Sequence, residues 1–374
     1  MHKNDKDKIY LSPPHIDDAE MKSVRDALSS GWISPFGSFI DNFSEKLSSH
    51  FHKKVLLTNS GTSAIHLALK LSKINEGDFV LCSDFSFAAT AFPILYQKAV
   101  PVFIGSEKDT WNLSPDFLNE AIENLKKNNN IPKALVIAHI YGASAQLDKI
   151  VDICKNYNIL IIEDAAEALG SSYENKPLGS FGDFGILSFN GNKIVTCSTG
   201  GALILPDENT YLHAQKIASQ AKEKADYYKH DELGYNYMQS NILAAIGDAQ
   251  FDKLTSKVIR RREIFNYYLS YFKKKMDVGY QKEYENSFSN RWLSSFIFPK
   301  SINEKIKESL KQNKVESRYL WNPLHKQKVF NGCLFFGDPE LEEQLFRQGL
   351  SLPSGDNLDN EDLYRITDIL EKHL

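Results

Sequence analysis

The sequence predicts an α/β protein with a large, mostly parallel sheet domain followed by a smaller C-terminal α/β domain. Short apolar, β-branched runs alternate with helix-patterned stretches through the first two thirds of the chain. This alternation is typical of βαβ units and of a parallel sheet covered on both faces. Past Asn209 the pattern changes to long helical stretches followed by short strands. The length of 374 residues also favours two domains over one.

The elements of the large domain follow one another in a regular order. Seven apolar runs are predicted to be buried strands: Val55–Thr58, Phe79–Cys82, Val100–Ile104, Ala134–Ile140, Ile159–Ile162, Ile186–Phe189 and Ala202–Leu205. Four stretches between them carry apolar residues at helical spacing: Ser63–Leu71, Phe87–Gln97, Pro115–Lys127 and Leu147–Asn156.

The chain past Asn209 is predicted to be richer in helix. The expected elements are helices at Ala214–Glu223 and Ser240–Tyr271, short strands near Trp292–Phe298, and helices at Asn303–Asn313 and Leu341–Gly349. We place the domain boundary after Phe251. Residues 1–251 then form the large domain, and residues 252–374 form a connecting helix and the small domain.

Composition and charge disfavour several classes of protein. The net charge of 44 − 48 = −4, without a basic block, is unfavourable for binding nucleic acid or an anionic membrane. No apolar run reaches the roughly 18 residues of a membrane-spanning helix, and Met1–Tyr10 lacks the apolar segment of a signal peptide. The four cysteines form no C-x-x-C pair and support neither a disulfide framework nor a zinc site: Cys82, Cys154, Cys197 and Cys333. We therefore expect a cytoplasmic protein without a metal.

A candidate phosphate site lies at Asn59–Ser63, which reads N-S-G-T-S. It follows a predicted strand and opens an apolar helix. Backbone N–H groups at a helix start, together with hydroxyls, suit a phosphate. An ordinary Ser/Thr helix cap uses the same residues and remains an alternative. Neither a Walker loop nor a G-x-G-x-x-G motif is present, which disfavours dinucleotide binding.

An acid and a lysine follow two other predicted strands. Asp164 comes just after Ile159–Ile162, and ligands of open α/β sheets collect at the carboxyl ends of strands. An N-cap of the next helix is the alternative for this residue. Lys193 comes just after Ile186–Phe189 and precedes apolar residues. Most lysines are solvated, but an apolar setting lowers the amine pKa and makes a nucleophile toward carbonyls.

Together, the phosphate loop, the acid and the lysine are the parts that hold pyridoxal phosphate. The acid keeps the pyridine nitrogen protonated, so that the ring acts as an electron sink. The lysine forms the Schiff base and then moves protons. The interval from Asp164 to Lys193 is 193 − 164 = 29 residues, which leaves room for one further strand.

Longer motifs carry a resemblance to a known family. They are N-S-G-T-S, E-D-A-A-E-A-L-G at Glu163–Gly170, S-F-N-G-N-K at Ser188–Lys193, G-Y-N-Y at Gly234–Tyr237, S-N-R-W-L-S at Ser289–Ser294, and the segment with Arg318, Trp321 and His325. With these motifs the chain resembles the DegT/DnrJ/StrS sugar aminotransferases over nearly its whole length. That family is fold-type I, like aspartate aminotransferase, and uses pyridoxal phosphate. The later motifs are most similar to the transaminases that make UDP-4-amino sugars on the bacillosamine pathway.

The resemblance implies roles for individual residues. Lys193 matches the Schiff-base lysine, and Asp164 matches the partner of the ring nitrogen. The other residues that it implies around the cofactor are Thr62, Ser63 and Ser188 at the phosphate, Phe87 on the ring face and Glu167 beside the ring oxygen. Asn236 matches a residue that reaches the phosphate from a neighbouring subunit, which implies a homodimer with shared sites. The residues implied at the nucleotide sugar are Asn290, Arg291, Arg318 and His325.

Some of these residues have plain structural alternatives. Phe87 is equally suited to a core aromatic, Arg291 to packing, and His325 to a satisfied surface histidine. The chain also departs from the family pattern, with Tyr319 where relatives often have Pro and Ser44 where many have Glu.

The resemblance implies an aminotransferase of bacterial polysaccharide biosynthesis. The expected reaction moves an amino group from glutamate to C4 of a UDP-linked 2-acetamido-4-keto-6-deoxy sugar. The alternatives are an aminotransferase for a 3-keto or a dTDP- or GDP-linked sugar, a fold-type I sugar dehydratase, and a non-enzymatic homologue. Dehydratase relatives have His in place of the lysine, and a non-enzymatic homologue would lose the lysine or the acid. Lys193 and Asp164 therefore favour amino transfer, although the fold alone leaves an amino-acid aminotransferase open.

Overall fold

The structure is a computed structural model that describes residues 7–374. The sequence predicts that Met1–Tyr10 lacks the apolar segment of a signal peptide. Residues 1–6 of this stretch lie outside the described residues. The α-helices of the described part are α1 (Asp18–Ser29), α2 (Ser38–Phe51), α3 (Gly61–Leu71), α4 (Phe92–Tyr96), α5 (Pro115–Lys127), α6 (Leu147–Tyr157), α7 (Glu208–Ala218), α8 (Asn241–Phe251), α9 (Leu254–Phe272), α10 (Lys300–Gln312), α11 (Pro339–Gln348) and α12 (Asn360–Glu371). From residue 7 onward, no helix is long and apolar enough to cross a membrane.

The strands are short. They are β1 (Lys54–Thr58), β2 (Phe79–Ser83), β3 (Val100–Ile104), β4 (Ala134–Ala138), β5 (Leu160–Asp164), β6 (Ser172–Tyr173), β7 (Lys176–Pro177), β8 (Phe184–Ser188), β9 (Gly201–Leu205), β10 (Gly279–Tyr280), β11 (Ser287–Phe288), β12 (Ser294–Ile297), β13 (Arg318–Tyr319), β14 (Leu334–Phe336) and β15 (Gly349–Leu352).

Eight strands form the central sheet in the order β1-β9-β8-β5-β4-β2-β3-β14. The pairs from β8 through β14 are parallel, and β9 is antiparallel to both of its neighbours. Every residue of β4 and β9 is buried, which explains why these strands appear in the sequence as continuous apolar runs. The prediction of a large, mostly parallel sheet is confirmed.

Helices cover both faces of the central sheet. Alternate residues of β1 enter different cores because successive side chains of a strand point to opposite faces. Leu56 packs in a core with Ile65 of α3, whereas Leu57 packs in a core with Phe43 of α2. On the α2 side the sheet is also covered by α5 and α6, for example through Ile122.

A second, four-stranded sheet lies in the C-terminal part, in the order β10-β12-β15-β13, with all pairs antiparallel. Helices α9, α10 and α12 pack against it in a separate core. Two segments connect the parts of the chain across the predicted boundary: Ile9 pairs with Val315, and β14 pairs with β3 of the central sheet. The boundary after Phe251 stays a prediction.

Two predicted helices are interrupted. Phe87–Gln97 is a 3₁₀ turn at Ala88–Thr90 followed by α4. Pro93 lies in the first turn of α4, where its missing N–H is tolerated, but a continuous helix would place it in the interior. Ser240–Tyr271 is the two helices α8 and α9, which are separated at residues 252–253.

Helix α7 lies earlier in the chain than the predicted helix Ala214–Glu223. The Asp207 side chain accepts a hydrogen bond from the N–H of Thr210 and so fixes the start of the helix at Glu208.

Candidate active site

A cavity of about 390 Å³ lies at the carboxyl ends of the parallel strands. This edge of an open α/β sheet is where ligands bind, and the volume is in the range of small-molecule sites. Seven of the residues proposed from the sequence line it: Thr62, Phe87, Asp164, Glu167, Ser188, Lys193 and Arg318. The fold therefore brings the predicted phosphate loop, acid and lysine to one place.

The first turn of α3 lines one end of the cavity through Ser60, Gly61 and Thr62. Ser60 is the N-cap of α3, and its Oγ accepts a hydrogen bond of 3.1 Å from the Ser63 N–H. The Ser63 hydroxyl donates to Asn59 Oδ1 at 2.6 Å and does not line the cavity, so its contact with a phosphate stays a prediction. The remaining N–H groups of the turn and the Thr62 hydroxyl suit an anion.

Strand β9 passes close to the start of α3. A Cβ at Gly201 would lie 2.4 Å from the backbone nitrogen of Gly61, which is too close for any side chain. Gly201 pairs with Ser188 of β8, whose side chain adds a hydroxyl to this end of the cavity. Glycine at position 201 thus allows the sheet to support the helix start.

Asp164 ends β5 and is buried beside the cavity. Its Oδ2 accepts a hydrogen bond of 2.9 Å from Thr90 Oγ1, and its Oδ1 accepts one of 3.2 Å from the Ala166 N–H. Burial raises the pKa of Asp164, and these two hydrogen bonds and the nearby Lys193 oppose that rise. Residues 165–170 form turns and no helix, so the helix-cap alternative does not apply.

The Lys193 side chain is 13% exposed and points into the cavity, so it is not a surface lysine. Its Nζ lies 3.9 Å from Glu167 Oε1 and 4.0 Å from the centre of the Trp292 ring. Burial lowers the pKa of Lys193, and the carboxylates of Glu167 and Asp164 oppose that fall. A lower pKa increases the fraction of neutral amine, which is the form that attacks carbonyl carbons.

Glu167 is a second titratable group next to the lysine. Its Oε2 accepts a hydrogen bond of 2.7 Å from the Tyr141 N–H. Burial raises the pKa of Glu167 to about 7, although the Lys193 ammonium lowers it. Near neutral pH this carboxyl therefore exists in both protonation states and is able to donate or accept a proton.

Aromatic rings form one wall of the cavity. Tyr141 stacks on Trp292 at 6.2 Å between ring centres and on Trp321 at 5.9 Å. Phe87 lies 5.6 Å from Trp321 at the cavity edge and is 56% exposed. Because of this exposure Phe87 is not a core aromatic, and its ring is free to contact a ligand.

Two other residues proposed from the sequence, Asn290 and Asn236, lie outside the cavity lining. Asn290 is fully buried, and its amide donates to the carbonyls of Glu167 and Leu169. Asn236 is exposed on the same chain, where its carbonyl accepts from the Asn59 amide at 3.0 Å. Neither side chain faces the cavity of its own subunit.

Arg291 is also turned away from the cavity. Its guanidinium donates to the Gln281 carbonyl at 2.8 Å, lies 4.1 Å from the centre of the Phe265 ring and lies 3.7 Å from Glu283. The structure therefore gives Arg291 the packing role, and does not bring it to the position expected for a contact with the nucleotide sugar.

His325 is fixed by a buried carboxylate. Its Nδ1 lies 2.7 Å from Asp84 Oδ2, its backbone N–H donates to Asp84 Oδ1, and its ring stacks on Phe335. His325 is thus a satisfied, mostly buried histidine, and it does not line the cavity.

The structure adds residues that the sequence did not single out. His139 lines the cavity just after β4, its Nε2 lies 2.8 Å from Glu163 Oε1, and its N–H donates to the Asp164 carbonyl. The predicted strand Ala134–Ile140 contained His139, so the strand-end signal that pointed to Asp164 was hidden; the observed strand ends at Ala138. Thr90 had no such signal, because the sequence placed it inside a helix.

The residues around the cavity fit pyridoxal phosphate. The N-terminus of α3 and the hydroxyls of Thr62 and Ser188 suit its phosphate, and the buried carboxylate of Asp164 suits a protonated ring nitrogen. Lys193 supplies an amine of lowered pKa for its aldehyde.

Comparisons with known proteins point to one family of enzymes. Residues 14–371 match the DegT/DnrJ/EryC1/StrS aminotransferase family. The chain is 45% identical to EpsN of Bacillus subtilis (strain 168), whose name places it among the pyridoxal phosphate-dependent aminotransferases, over 99% of this chain and 96% of that protein. It is 32% identical to the GDP-perosamine synthase of Escherichia coli O157:H7, over 97% and 98% of the two chains.

More distant similarities extend this picture. The chain is 30% identical to the UDP-4-amino-4,6-dideoxy-N-acetyl-beta-L-altrosamine transaminase of Campylobacter jejuni subsp. jejuni serotype O:23/36 (strain 81-176), over 97% of this chain and 96% of that protein. Among solved structures, the aminotransferase TlmJ from Streptoalloteichus hindustanus matches with a TM-score of 0.91 at 24% identity, over 98% of both chains.

Proposed function

The chain belongs to the DegT/DnrJ/EryC1/StrS aminotransferase family, and from this premise we propose that it moves an amino group from glutamate to C4 of a UDP-linked 2-acetamido-4-keto-6-deoxy sugar. It is a sugar aminotransferase that depends on pyridoxal phosphate. The observation that carries the proposal is the meeting of Lys193, Asp164 and the start of α3 in one cavity.

Each end of the cavity has a separate task in holding the cofactor. Thr62, Ser188 and the N-terminus of α3 would bind the phosphate, where the helix dipole favours negative charge. Asp164 would hold a proton on the ring nitrogen, and the hydrogen bond from Thr90 keeps its carboxylate oriented. When bound, pyridoxal phosphate supplies the carbon that takes up the amino nitrogen and the ring that accepts electrons.

Lys193 would attach the cofactor and then move protons at its Nζ. Its lowered pKa increases the neutral fraction of the amine, and a neutral amine is able to take up a proton. Glu167 Oε1, 3.9 Å away, would exchange protons with this amine because its own pKa of about 7 is close to neutrality. The aromatic wall of Trp292 and Trp321 would exclude water from these transfers.

Arg318 is the remaining candidate for the nucleotide diphosphate. It lines the cavity, and its guanidinium is solvent-accessible, with one bond of 3.0 Å to Glu316. A guanidinium fork suits phosphate oxygens. Since Arg291 and His325 are bound elsewhere, Arg318 is proposed to carry the diphosphate contact without them.

Two relatives support different nucleotides. The motifs at Ser289–Ser294 and at the Arg318 segment favour a UDP-linked substrate, as does the similarity to the altrosamine transaminase. The similarity to GDP-perosamine synthase favours a GDP-linked 4-keto sugar as the second candidate.

We also propose a homodimer with shared sites. Asn236 is exposed and lies outside the cavity of its own chain, which is the placement needed to reach the phosphate of a partner. Large apolar side chains are also exposed, some close to Asn236 in sequence and some near the N-terminus. We propose that a dimer covers them: Tyr227, Tyr228 and Leu233, and Trp32, Ile33 and Phe36. Mixing the inactive variants Lys193→Ala and Asn236→Asp should restore part of the activity through hybrid dimers. No recovery in hybrids that are shown to form would contradict shared sites.

The substrate is tested with a panel of UDP-, GDP- and dTDP-linked 4-keto and 3-keto sugars, each with glutamate, and the products are identified by mass and NMR. We expect an amine at C4 of the UDP-linked sugar, and no product with Lys193→Ala. Turnover of the GDP- or dTDP-linked sugars alone would refute the UDP proposal and leave the family assignment intact. Turnover by Lys193→Ala at the wild-type rate would refute the role of the lysine.

A further inference from the structure

A closed ring of hydrogen bonds holds the peptide bond that leads into Lys193. Two donors meet at the carbonyl oxygen of Asn192: Ser12 Oγ at 2.9 Å and Trp292 Nε1 at 2.8 Å. Arg261 completes the ring, because one terminal nitrogen donates to Ser12 Oγ at 3.1 Å and the other donates to the Trp292 carbonyl at 2.6 Å. The ring joins the N-terminal segment, α9 and the approach to β12 to the peptide between residues 192 and 193.

The side chains of this ring lie in the interior. Arg261 and Trp292 are 1% exposed and Ser12 is 7% exposed. Burial lowers the pKa of Arg261 to about 10, so the guanidinium keeps its charge at neutral pH, with Asp356 at 3.6 Å as its counter-charge. Burying a guanidinium is costly, and its rigid fork has one property that an apolar residue lacks: it fixes two acceptors at a set separation.

Trp292 contacts the lysine a second time through its ring. The Lys193 Nζ lies 4.0 Å from the ring centre, while the indole N–H binds the carbonyl of the preceding residue. One indole therefore contacts both the backbone and the amine of the lysine segment. Trp292 is itself held by stacking on Tyr141 and by the Arg261 fork.

We propose that Arg261 is a positioning residue for Lys193, and that it acts through Ser12 and Trp292 to fix the Asn192–Lys193 peptide. The proposal rests on the proposed role of Lys193 in attaching the cofactor. Because the ring orients the lysine before it reacts, the loss of the ring should slow attachment without weakening the phosphate end of the cavity.

The attachment step gives a direct measurement. The neutral amine of Lys193 forms a C=N bond to the aldehyde carbon of pyridoxal phosphate, and the aldehyde oxygen leaves as water with both amine protons. We propose to follow this step by absorbance after mixing apoenzyme with pyridoxal phosphate. The affinity for pyridoxamine phosphate, which has no aldehyde, is measured in parallel as a probe of the rest of the cavity.

Four variants and one control separate the possibilities. Ser12→Ala removes one donor to the Asn192 carbonyl, Trp292→Phe removes the other and keeps an aromatic ring, and the double variant removes both. Each single change should slow attachment about 2- to 10-fold, as expected for one hydrogen bond, and the double variant more than either. Arg261→Gln should slow it at least as much as Ser12→Ala. Arg260→Gln is the control, because Arg260 lies next to it on α9 and binds the Leu358 carbonyl outside the ring.

Affinity for pyridoxamine phosphate should stay within about twofold of wild type in Ser12→Ala, Arg261→Gln and Arg260→Gln, whose side chains do not line the cavity, since a hydrogen bond lost behind the lysine leaves the phosphate contacts intact. Wild-type attachment rates in the folded double variant would overturn the proposal. A loss of affinity for pyridoxamine phosphate as large as the loss in attachment rate would also overturn the proposal, because the ring of hydrogen bonds would then support the whole cavity. If Arg261→Gln fails to fold, the Ser12 and Trp292 variants decide. Attachment in Lys193→Ala would instead refute the assignment of the lysine.

Discussion

Because burial raises the pKa of Glu167, the free energy of unfolding of the apoenzyme should depend on pH through this one carboxyl group. In the folded chain burial raises this pKa to about 7, whereas in the unfolded chain the carboxyl has its ordinary value of 4.5. The folded state therefore holds a proton that the unfolded state releases as the pH rises from 4.5 to 7. For this group the free energy of unfolding is highest below pH 4.5 and falls until the pH passes 7.

The magnitude follows from the same two values. At about 1.36 kcal/mol for each pKa unit, the destabilisation by Glu167 grows from about 1 kcal/mol at pH 5.5 to about 3 kcal/mol at pH 8.5. Glu167→Gln removes the titration and keeps an oxygen that accepts from the Tyr141 N–H. The variant should therefore gain about 2 kcal/mol relative to wild type between these two pH values.

The assay is urea unfolding of both apoproteins at pH 5.5, 7.0 and 8.5, followed by circular dichroism. Glu76→Gln is the matched control, because Glu76 lies on the surface and pairs with the exposed Lys98. A stability difference between Glu167→Gln and wild type that stays constant with pH would refute the burial argument for this carboxyl.

Three further outcomes follow from the geometry of the cavity. Thr90→Val removes the hydrogen bond to Asp164 and should lower turnover about tenfold, measured with the preferred sugar; an unchanged rate would show that this bond does not orient the acid. Gly201→Ala places a Cβ 2.4 Å from the start of α3 and should lower the free energy of unfolding by about 2 kcal/mol or more in urea, and a stable variant would contradict this close approach. Arg318→Ala should raise the KM for the nucleotide sugar about tenfold and leave the half-reaction with glutamate unchanged. Arg291→Ala should instead lower the free energy of unfolding. The reverse pattern would restore Arg291 as the phosphate contact.

The sequence was sufficient to predict the strand-end residues of the site. Asp164 and Ser188 end parallel strands, and Lys193 follows the second of these. The carboxyl ends of parallel strands meet at one edge, so residues at such positions come together without further information.

The direction of individual side chains could not be predicted in the same way. Arg291 has a positive φ of 50°, and this local turn directs its side chain to Phe265 while the next residue, Trp292, reaches the lysine. The sequence does not show such a turn at a non-glycine residue. His325 was misplaced for a different reason, because its partner Asp84 lies 241 residues away in the chain.

Some helices were missed although a local signal was present. Helix α1 begins with a capping box formed by Asp17 and Glu20, and α12 begins with one formed by Asp359 and Asp362. Both have the spacing that marks a helix start, in which the fourth residue binds back to the first. Apolar periodicity alone does not reveal these two helix starts, because their signal is polar.

The two edge strands of the central sheet are made at very different times during synthesis. β1 ends at Thr58 and β14 begins at Leu334, which is 334 − 58 = 276 residues later. At about 5–20 residues per second, a ribosome needs about 14–55 s to make that interval. Until β14 is made, β3 has no neighbour on its outer side. An open strand edge is a template for pairing with other chains. Pro101 removes one N–H donor from β3, which weakens this template only in part. We therefore expect chains that end before residue 334 to aggregate more readily than the full chain.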